Sequence, residues 1–331
     1  MNEDAVNAAP RPADETSMQP TSKLVKWLRW ILPFFVSAIF LAYVLFEIDV
    51  AKVAAELTPR VALVFVPALL VFLAVTLLIE AVCLVLVISH ITPFRDLALA
   101  ARIKAASYLL GLLNYALGAG ALAVLVRRRA GIRLADAGGS VFVIGLFDLG
   151  SLVGIVTFGV LLMGSETRGV QASVVLLAAV AIVSGFVVLR APIKMGFFDR
   201  IRELQIFYAA RTLPIGLLAT LLALRVLFLA TFYCLAWATL YAFEVRIPHL
   251  DLAVNLAIML VVAALPIAAA GLGTGQVVFV ALLRDFAPAE ALLAASLTLS
   301  VGLIVTRALM GLVFAREFAS EALAANREHT Q

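Results

Sequence analysis

The sequence predicts an all-α polytopic membrane protein, with six full spans and two re-entrant hairpins arranged in two inverted-topology halves. The first observation is composition: of 331 residues, 64% are hydrophobic and 14% are charged, and the mean hydropathy is +1.10. A water-soluble chain could not cover its surface with so few charges. The second observation is a set of apolar runs of membrane-spanning length, and the third is a motif that occurs twice.

The apolar runs define one integral membrane domain that follows a short polar tail. Residues 1–22 are rich in Pro, Ala, Ser, Thr and acidic residues, which predicts a disordered cytoplasmic tail. A spanning helix needs roughly 20 apolar residues, and residues 23–331 contain eight runs that could supply them. These runs occupy most of the domain and leave no room for a soluble catalytic domain. They cover residues 28–47, 61–89, 105–126, 138–163, 170–190, 217–243, 252–283 and 291–315.

Basic residues predict which connections face the cytoplasm. If all eight runs crossed the membrane, Lys and Arg would number 11 inside and 12 outside, without the bias that the positive-inside rule predicts. If runs 105–126 and 252–283 return to the side from which they enter, the count becomes 18 inside against 5 outside. Gly or Pro interrupts both runs, so we predict that both are re-entrant hairpins. Both termini are then cytoplasmic. The predicted location of the protein is the cell (inner or plasma) membrane.

This topology makes the second half of the domain an inverted copy of the first. Residues 28–163 and 170–315 each follow the order span, span, re-entrant hairpin, span, and three full spans per half turn the second half upside down. A Leu-Gly-x-Gly motif begins at Leu117 in the first hairpin and at Leu272 in the second. Paired interruptions of this kind indicate the substrate site of a transporter. The alternative is that the glycines allow close helix packing.

Three stretches carry a resemblance to a known family: NYALGAGALAVLVRRRAGI (114–132), FDLGSL (147–152) and LPIAAAGLGTGQ (265–276). They resemble the transmembrane region of lysylphosphatidylglycerol synthases and of their stand-alone, flippase-like relatives. Two family glutamates are replaced here by Ala121 and Gln276, and the family's Arg before Asp148 is missing. The resemblance implies lipid handling, by a mechanism that does not need those two carboxylates. The residues that match the family pattern are Asn114, Gly120, Asp148, Leu265, Pro266, Gly271 and Gly273.

Four charged residues lie well inside the predicted full spans: Glu80, Asp148, Arg225 and Arg307. At about 1.5 Å per residue, each stands roughly 15 Å from the cytoplasmic end of its span, near the bilayer midplane. A charge at that depth is costly, so we expect each to face the interior and to have a partner. Two interpretations stay open. The charges form two ion pairs that lock the halves together, or they line a polar chamber in which an arginine binds a lipid phosphate.

The tips of the hairpins are expected to add polar groups to such a chamber. Free backbone N–H groups at the start of each second half-helix favour an anion, and glycines let a headgroup approach the backbone. Asn114 and Gln276 could hydrogen-bond that headgroup or, alternatively, cap the broken helices. The predicted substrate-binding residues are Glu80, Asn114, Gly118, Gly120, Asp148, Arg225, Gly271, Gly273, Gln276 and Arg307.

Neither a cofactor nor an enzymatic reaction is predicted. Cys83 and Cys234 lie in apolar runs without CxxC spacing and the three histidines are isolated, so no disulfide or metal site is expected. The sequence contains no HExxH, P-loop, GxSxG or DxD motif, and the membrane class excludes nucleic acid. The expected partners are membrane lipids: an anionic phospholipid, a glycolipid or a polyprenyl phosphate, moved by a translocase or carrier. The alternative is a non-transporting scaffold for a lipid-modifying enzyme or glycosyltransferase, and a homo-oligomer stays open.

Overall fold

The computed structural model describes residues 58–112, 115–163, 204–264 and 274–328, together with residues 180, 184–187 and 189–190. Every regular element in these residues is helical, so the all-α class is confirmed. The predicted tail, the run 28–47 and most of the run 170–190 lie outside the described residues. The α-helices are α1 (Pro59–Ile88), α2 (Leu97–Gly111), α3 (Tyr115–Ala130), α4 (Leu134–Met163), α5 (Tyr208–Thr212), α6 (Ile215–Ala242), α7 (His249–Ala264), α8 (Thr274–Leu283) and α9 (Ala289–Glu328), and a 3₁₀ helix covers Gln205–Phe207.

Four of the described helices are long and apolar enough to cross a bilayer. They are α1, α4 up to Gly159, α6, and α9 up to Phe314. Their apolar residues surround the helix on all sides rather than forming one stripe, which is expected for helices that contact both protein and lipid. These four helices coincide with the predicted runs 61–89, 138–163, 217–243 and 291–315. The membrane class is therefore confirmed.

Helix α2 begins eight residues earlier than the predicted start at residue 105. The Asp96 carboxylate accepts a hydrogen bond from the Leu99 N–H at 2.9 Å and caps the helix. A cap of this kind satisfies one of the free N–H groups of the first turn. Arg102 and Lys104, which the sequence places in a loop (90–104), therefore lie on a helix.

Each of the two interrupted runs covers parts of two described helices that pack against each other. Helices α2 and α3 lie on either side of residues 112–114, and α7 and α8 lie on either side of residues 265–273. In the first pair, α3 approaches α2 so closely that a Cβ on Gly118 would come within 2.6 Å of the Gly111 Cα. Small residues at both positions are what allow this backbone approach.

Two hydrophobic clusters locate the ends of these helices within the bundle. The first cluster joins the end of α1 to the start of α2, the end of α3 and the starts of α4 and α6. The second joins the start of α1 to the end of α6, the start of α7, the end of α8 and the start of α9. Each pair of short helices therefore begins and ends at one end of the bundle, and the two pairs use opposite ends. Representative residues are Ile88, Ile103, Val126, Ala137 and Leu218 in the first cluster, and Phe65, Leu240, Leu252, Leu283 and Leu292 in the second.

Candidate functional site

Arg225 of α6 lies at the centre of a charged network between the two clusters. Its guanidinium donates to Asp148 Oδ1 at 2.9 Å and to both carboxylate oxygens of Glu80, at 3.2 and 3.3 Å. The Arg225 side chain is 0% exposed. The predicted partnership between these acids and an arginine of the second half is therefore present, although one arginine binds both acids.

The packing of α1 on α6 brings Glu80 and Arg225 together. Phe72, two turns before Glu80 on α1, contacts Phe228 and Phe232 edge-on, at ring-centroid distances of 6.3 and 6.0 Å. The two helices run antiparallel. From the aromatic contact to the ion pair, residue numbers rise along α1, from Phe72 to Glu80, and fall along α6, from Phe232 to Arg225. Asp148 reaches the same guanidinium from the middle of α4, so three spanning helices meet at this point.

Lys104 of α2 is a fourth member of the network and is not among the site residues predicted from the sequence. Its Nζ lies 3.1 Å from Glu80 Oε2, and its side chain is 19% exposed. The run was predicted to start at residue 105, which left Lys104 in a loop. The signal that could have placed it was Asp96, an N-cap residue directly before an apolar segment.

The second predicted ion pair, which would involve Arg307, is not found among the described residues. No carboxylate of the described residues lies within 4.0 Å of the Arg307 guanidinium. Arg307 instead lies over the ring of Tyr108, with its Cζ 5.6 Å from the ring centroid, and Lys104 Nζ lies 5.7 Å from the same centroid. Helix α9 runs along α2, and their contact at Gly311 and Leu109 sets this position. Arg307 therefore joins the network through an aromatic ring rather than through an acid.

The two glycines of the first Leu-Gly-x-Gly motif, Gly118 and Gly120, have different surroundings. Gly118 is buried against Gly111, so the missing side chain serves close packing of α2 on α3. Gly120 has no atom within 4 Å of the position of a Cβ and is exposed. Both lie within α3 and neither has a positive φ. Of the two interpretations of these glycines, packing fits Gly118, while Gly120 leaves open space beside the helix.

The remaining predicted site residues do not extend the network in the described part of the chain. Gln276 is buried in the first turn of α8, and its side-chain amide donates to the Ser300 hydroxyl of α9 at 2.9 Å. This bond connects α8 to α9. Asn114, Gly271 and Gly273 lie outside the described residues.

An apolar cavity of about 510 Å³ lies between α4, α6 and α7. It lies beside the charged network, since Val226 of its lining directly follows Arg225 and Leu152 follows Asp148 by one helical turn. Tyr233 and His249 are on its lining, and the Tyr233 hydroxyl shares a hydrogen bond of 2.5 Å with His249 Nδ1. The volume is that of a small-molecule site. The full lining is Leu152, Ile155, Val226, Leu229, Ala230, Phe232, Tyr233, His249, Ala253, Leu256, Ala257 and Leu260.

The network combines two carboxylates with three cations from five helices. Asp148 keeps 32% of its side chain exposed, so the network is not sealed from its surroundings. The arrangement can bind an anion through the cations that its own carboxylates do not neutralise. Among the described residues, no group of His, Cys, Asp and Glu is placed to hold a metal ion. Comparison of the chain with protein families, with curated proteins and with solved structures finds no match.

Proposed function

We propose that this protein is a lipid translocase, or a lipid carrier, of the inner or plasma membrane, which moves an anionic headgroup through a polar chamber near the bilayer midplane. The observation that carries the proposal is the network of Glu80, Lys104, Asp148 and Arg225. Its members come from four different helices, three of which are long and apolar enough to cross a bilayer, and they meet within the bundle. Charged side chains inside a membrane are costly and are typical of substrate or ion pathways.

An ion-pair lock between the halves is the competing explanation of the network. A lock needs only matched pairs, and apolar residues of similar volume often replace a buried pair without loss of stability. Two features favour a binding site. The Asp148 carboxylate stays partly exposed, and the cations outnumber the carboxylates by one, counting Arg307. A lock explains neither the access nor the surplus charge.

The helix arrangement supports the proposed topology of six full spans and two re-entrant hairpins in inverted halves. The pair α2–α3 begins and ends where α1 ends, and the pair α7–α8 begins and ends at the opposite end of the bundle. Broken helices that meet inside the membrane are a recurring feature of transporter substrate sites. The apolar cavity beside Asp148 and Arg225 has the chemistry that an acyl chain needs while the headgroup is at the network.

A reconstitution experiment tests the proposal. The purified full-length protein is placed in vesicles that contain lipids with labelled headgroups: phosphatidylglycerol, phosphatidylcholine, a glycolipid and a polyprenyl phosphate. We expect the protein to accelerate the exchange of an anionic lipid between leaflets, relative to vesicles without protein. Asp148→Asn should slow this exchange, and Arg284→Gln, which removes an exposed charge outside the network, should not.

The same assay separates the translocase from a scaffold. A scaffold for a lipid-modifying enzyme or glycosyltransferase would leave exchange at the protein-free rate for every lipid tested. Folded protein with that behaviour would overturn the proposal. Exchange of all lipids at one rate, insensitive to Asp148→Asn, would also overturn it, because the network would then play no part.

A further inference from the structure

The ring of Tyr108 on α2 contacts two cations, Lys104 and Arg307, whose N–H donors are not all used in the ion pairs of the network. Lys104 Nζ and Arg307 Cζ lie 5.7 and 5.6 Å from the centroid of its ring. Lys104 precedes Tyr108 by one helical turn, whereas Arg307 comes from α9. The ring therefore holds together cations from two helices, by the attraction between a cation and the face of an aromatic ring.

The three cations of the network differ in how many donors they have left for a ligand. Arg225 is fully buried and its terminal nitrogens already donate to Glu80 and Asp148. Lys104 has three N–H donors, one of which faces Glu80. Arg307 is only partly buried, and within the described helices its guanidinium has no carboxylate within 4.0 Å. Lys104 and Arg307 are therefore the cations that can receive an anion.

The charge balance of the described residues also favours an anion at this place. Glu80 and Asp148 together neutralise two of the three cations, which leaves one positive charge at bilayer depth. The predicted runs 28–47 and 170–190, which lie wholly or mostly outside the described residues, and residues 265–273 contain a single Asp or Glu, which is Glu47 at the end of the first run. Apart from Glu47 at that end, these segments supply no carboxylate with which to neutralise the surplus. A single negative charge from a ligand would do so.

We propose that Lys104 and Arg307 bind the phosphate of a singly charged, anionic lipid headgroup beside Tyr108, while Arg225 is a positioning residue that acts through Glu80. This inference rests on the proposed function and adds a substrate class and two residues, Lys104 and Tyr108, to its site. A phosphate with a hydrogen bond on each side spans about 8 Å. The two ring distances keep the cations within about 11 Å of each other, and the flexible lysine stem can close the remaining gap.

The test measures lipid binding by the full-length protein in nanodiscs of phosphatidylcholine, to which phosphatidylglycerol is added in steps. Binding is followed through the rise of the thermal unfolding midpoint. Arg307→Gln and Lys104→Gln should each weaken the response to phosphatidylglycerol by about tenfold or more, because each removes charge-assisted hydrogen bonds to the phosphate. Arg102→Gln removes an exposed cation from the same helix and should leave the response unchanged.

Variants of Tyr108 test the role of the ring. Tyr108→Phe keeps an aromatic face for both cations and should retain most of the response, whereas Tyr108→Leu should lose it. Addition of inorganic phosphate in place of phosphatidylglycerol distinguishes a lipid from a free phosphate. Stabilisation by inorganic phosphate at the same concentration as the lipid would overturn the lipid assignment.

The outcomes distinguish this inference from the proposed function. Folded Arg307→Gln protein with the wild-type response to phosphatidylglycerol would overturn the phosphate site, even if exchange between leaflets continued. A response that depends on Lys104 and Arg307, in a protein that does not accelerate exchange, would overturn the translocase and leave the site intact. Arg307 has no ion pair with the described acids, so its variant carries the test if Lys104→Gln fails to fold.

Discussion

Arg225 connects α1, α4 and α6, because its guanidinium on α6 pairs with Glu80 of α1 and with Asp148 of α4. Arg225→Gln would leave the buried Glu80 and the partly exposed Asp148 close together, with Lys104 as the remaining charged partner of Glu80. Removing one partner of a buried pair costs about 3–5 kcal/mol, because the other charge is left uncompensated. We expect a decrease of that size in the free energy of unfolding, measured by chemical denaturation in detergent micelles, and partial recovery in the double variant Arg225→Gln, Asp148→Asn.

A double-mutant cycle makes the comparison quantitative. The exposed pair Arg284 and Asp285, 3.9 Å apart, provides the control, because exposed pairs contribute little. Coupling between Asp148 and Arg225 should clearly exceed coupling between Arg284 and Asp285. Equal coupling in the two cycles would show that the network does not hold the helices together. The structure predicts no direct coupling of Asp148 with Arg307, because Arg307 contacts the Tyr108 ring and has no carboxylate of the described residues within 4.0 Å.

The residues of the network show which features of the site can be predicted from the sequence. Depth along a helix follows from counting at 1.5 Å per residue, so Glu80, Asp148 and Arg225 could be placed in one layer. The choice of partner could not, because it depends on which helix faces which. Arg307 lies over Tyr108 since α9 packs along α2, and no pattern within either helix specifies that contact.

At the scale of elements, Gly118 and Gly120 provide a matched pair of tests of the α2–α3 hairpin. Gly118→Ala would bring a Cβ within 2.6 Å of the Gly111 Cα and 3.0 Å of its N, and backbone atoms cannot turn aside. We expect a loss of about 1–3 kcal/mol, the usual cost of overpacking. Gly120→Ala meets nothing within 4 Å, so it should be neutral or slightly stabilising through helix propensity.

Thermal unfolding midpoints of both variants in the same detergent check this difference. Gly111→Ala gives a third point, since its Cβ would lie 3.7 Å from Gly118 Cα, an ordinary contact. The expected order of stability is therefore Gly120→Ala, then Gly111→Ala, then Gly118→Ala. A Gly118→Ala protein as stable as the wild type would mean that α2 and α3 do not pack at this distance.

The elements themselves were partly predictable. Apolar runs long enough to cross a bilayer predict α1, α4, α6 and the first part of α9, up to Phe314, with errors of a few residues at their ends, because length and hydropathy are properties of the local sequence. Glycines in the run 105–126 indicated a break, and α2 and α3 flank residues 112–114. The start of α2 was wrong because the Asp96 cap lies outside the apolar run. The N-cap residue Asp96, rather than hydropathy, determines where α2 begins.

At the scale of the whole molecule, the proposed topology and a simple eight-span bundle differ in the side of the membrane on which each connection lies. In the structure, the end of α3 shares a hydrophobic cluster with the end of α1, and the end of α8 shares another with the end of α6. Arg95 precedes α2 and Ala130 ends α3, while Glu244 follows α6 and Asp285 follows α8. We expect the first two positions on the cytoplasmic side and the last two on the other.

Single cysteines at residues 95, 130, 244 and 285 test this arrangement in intact cells. The starting protein has Cys83→Ala and Cys234→Ala, which remove the two free thiols. An impermeant thiol reagent should label residues 244 and 285 and should label 95 and 130 only after the cells are permeabilised. If α2 and α3 together crossed the bilayer, Ala130→Cys would react without permeabilisation while Arg95→Cys would not. That result would exclude the re-entrant hairpin and, with it, the inverted halves on which the midplane chamber depends.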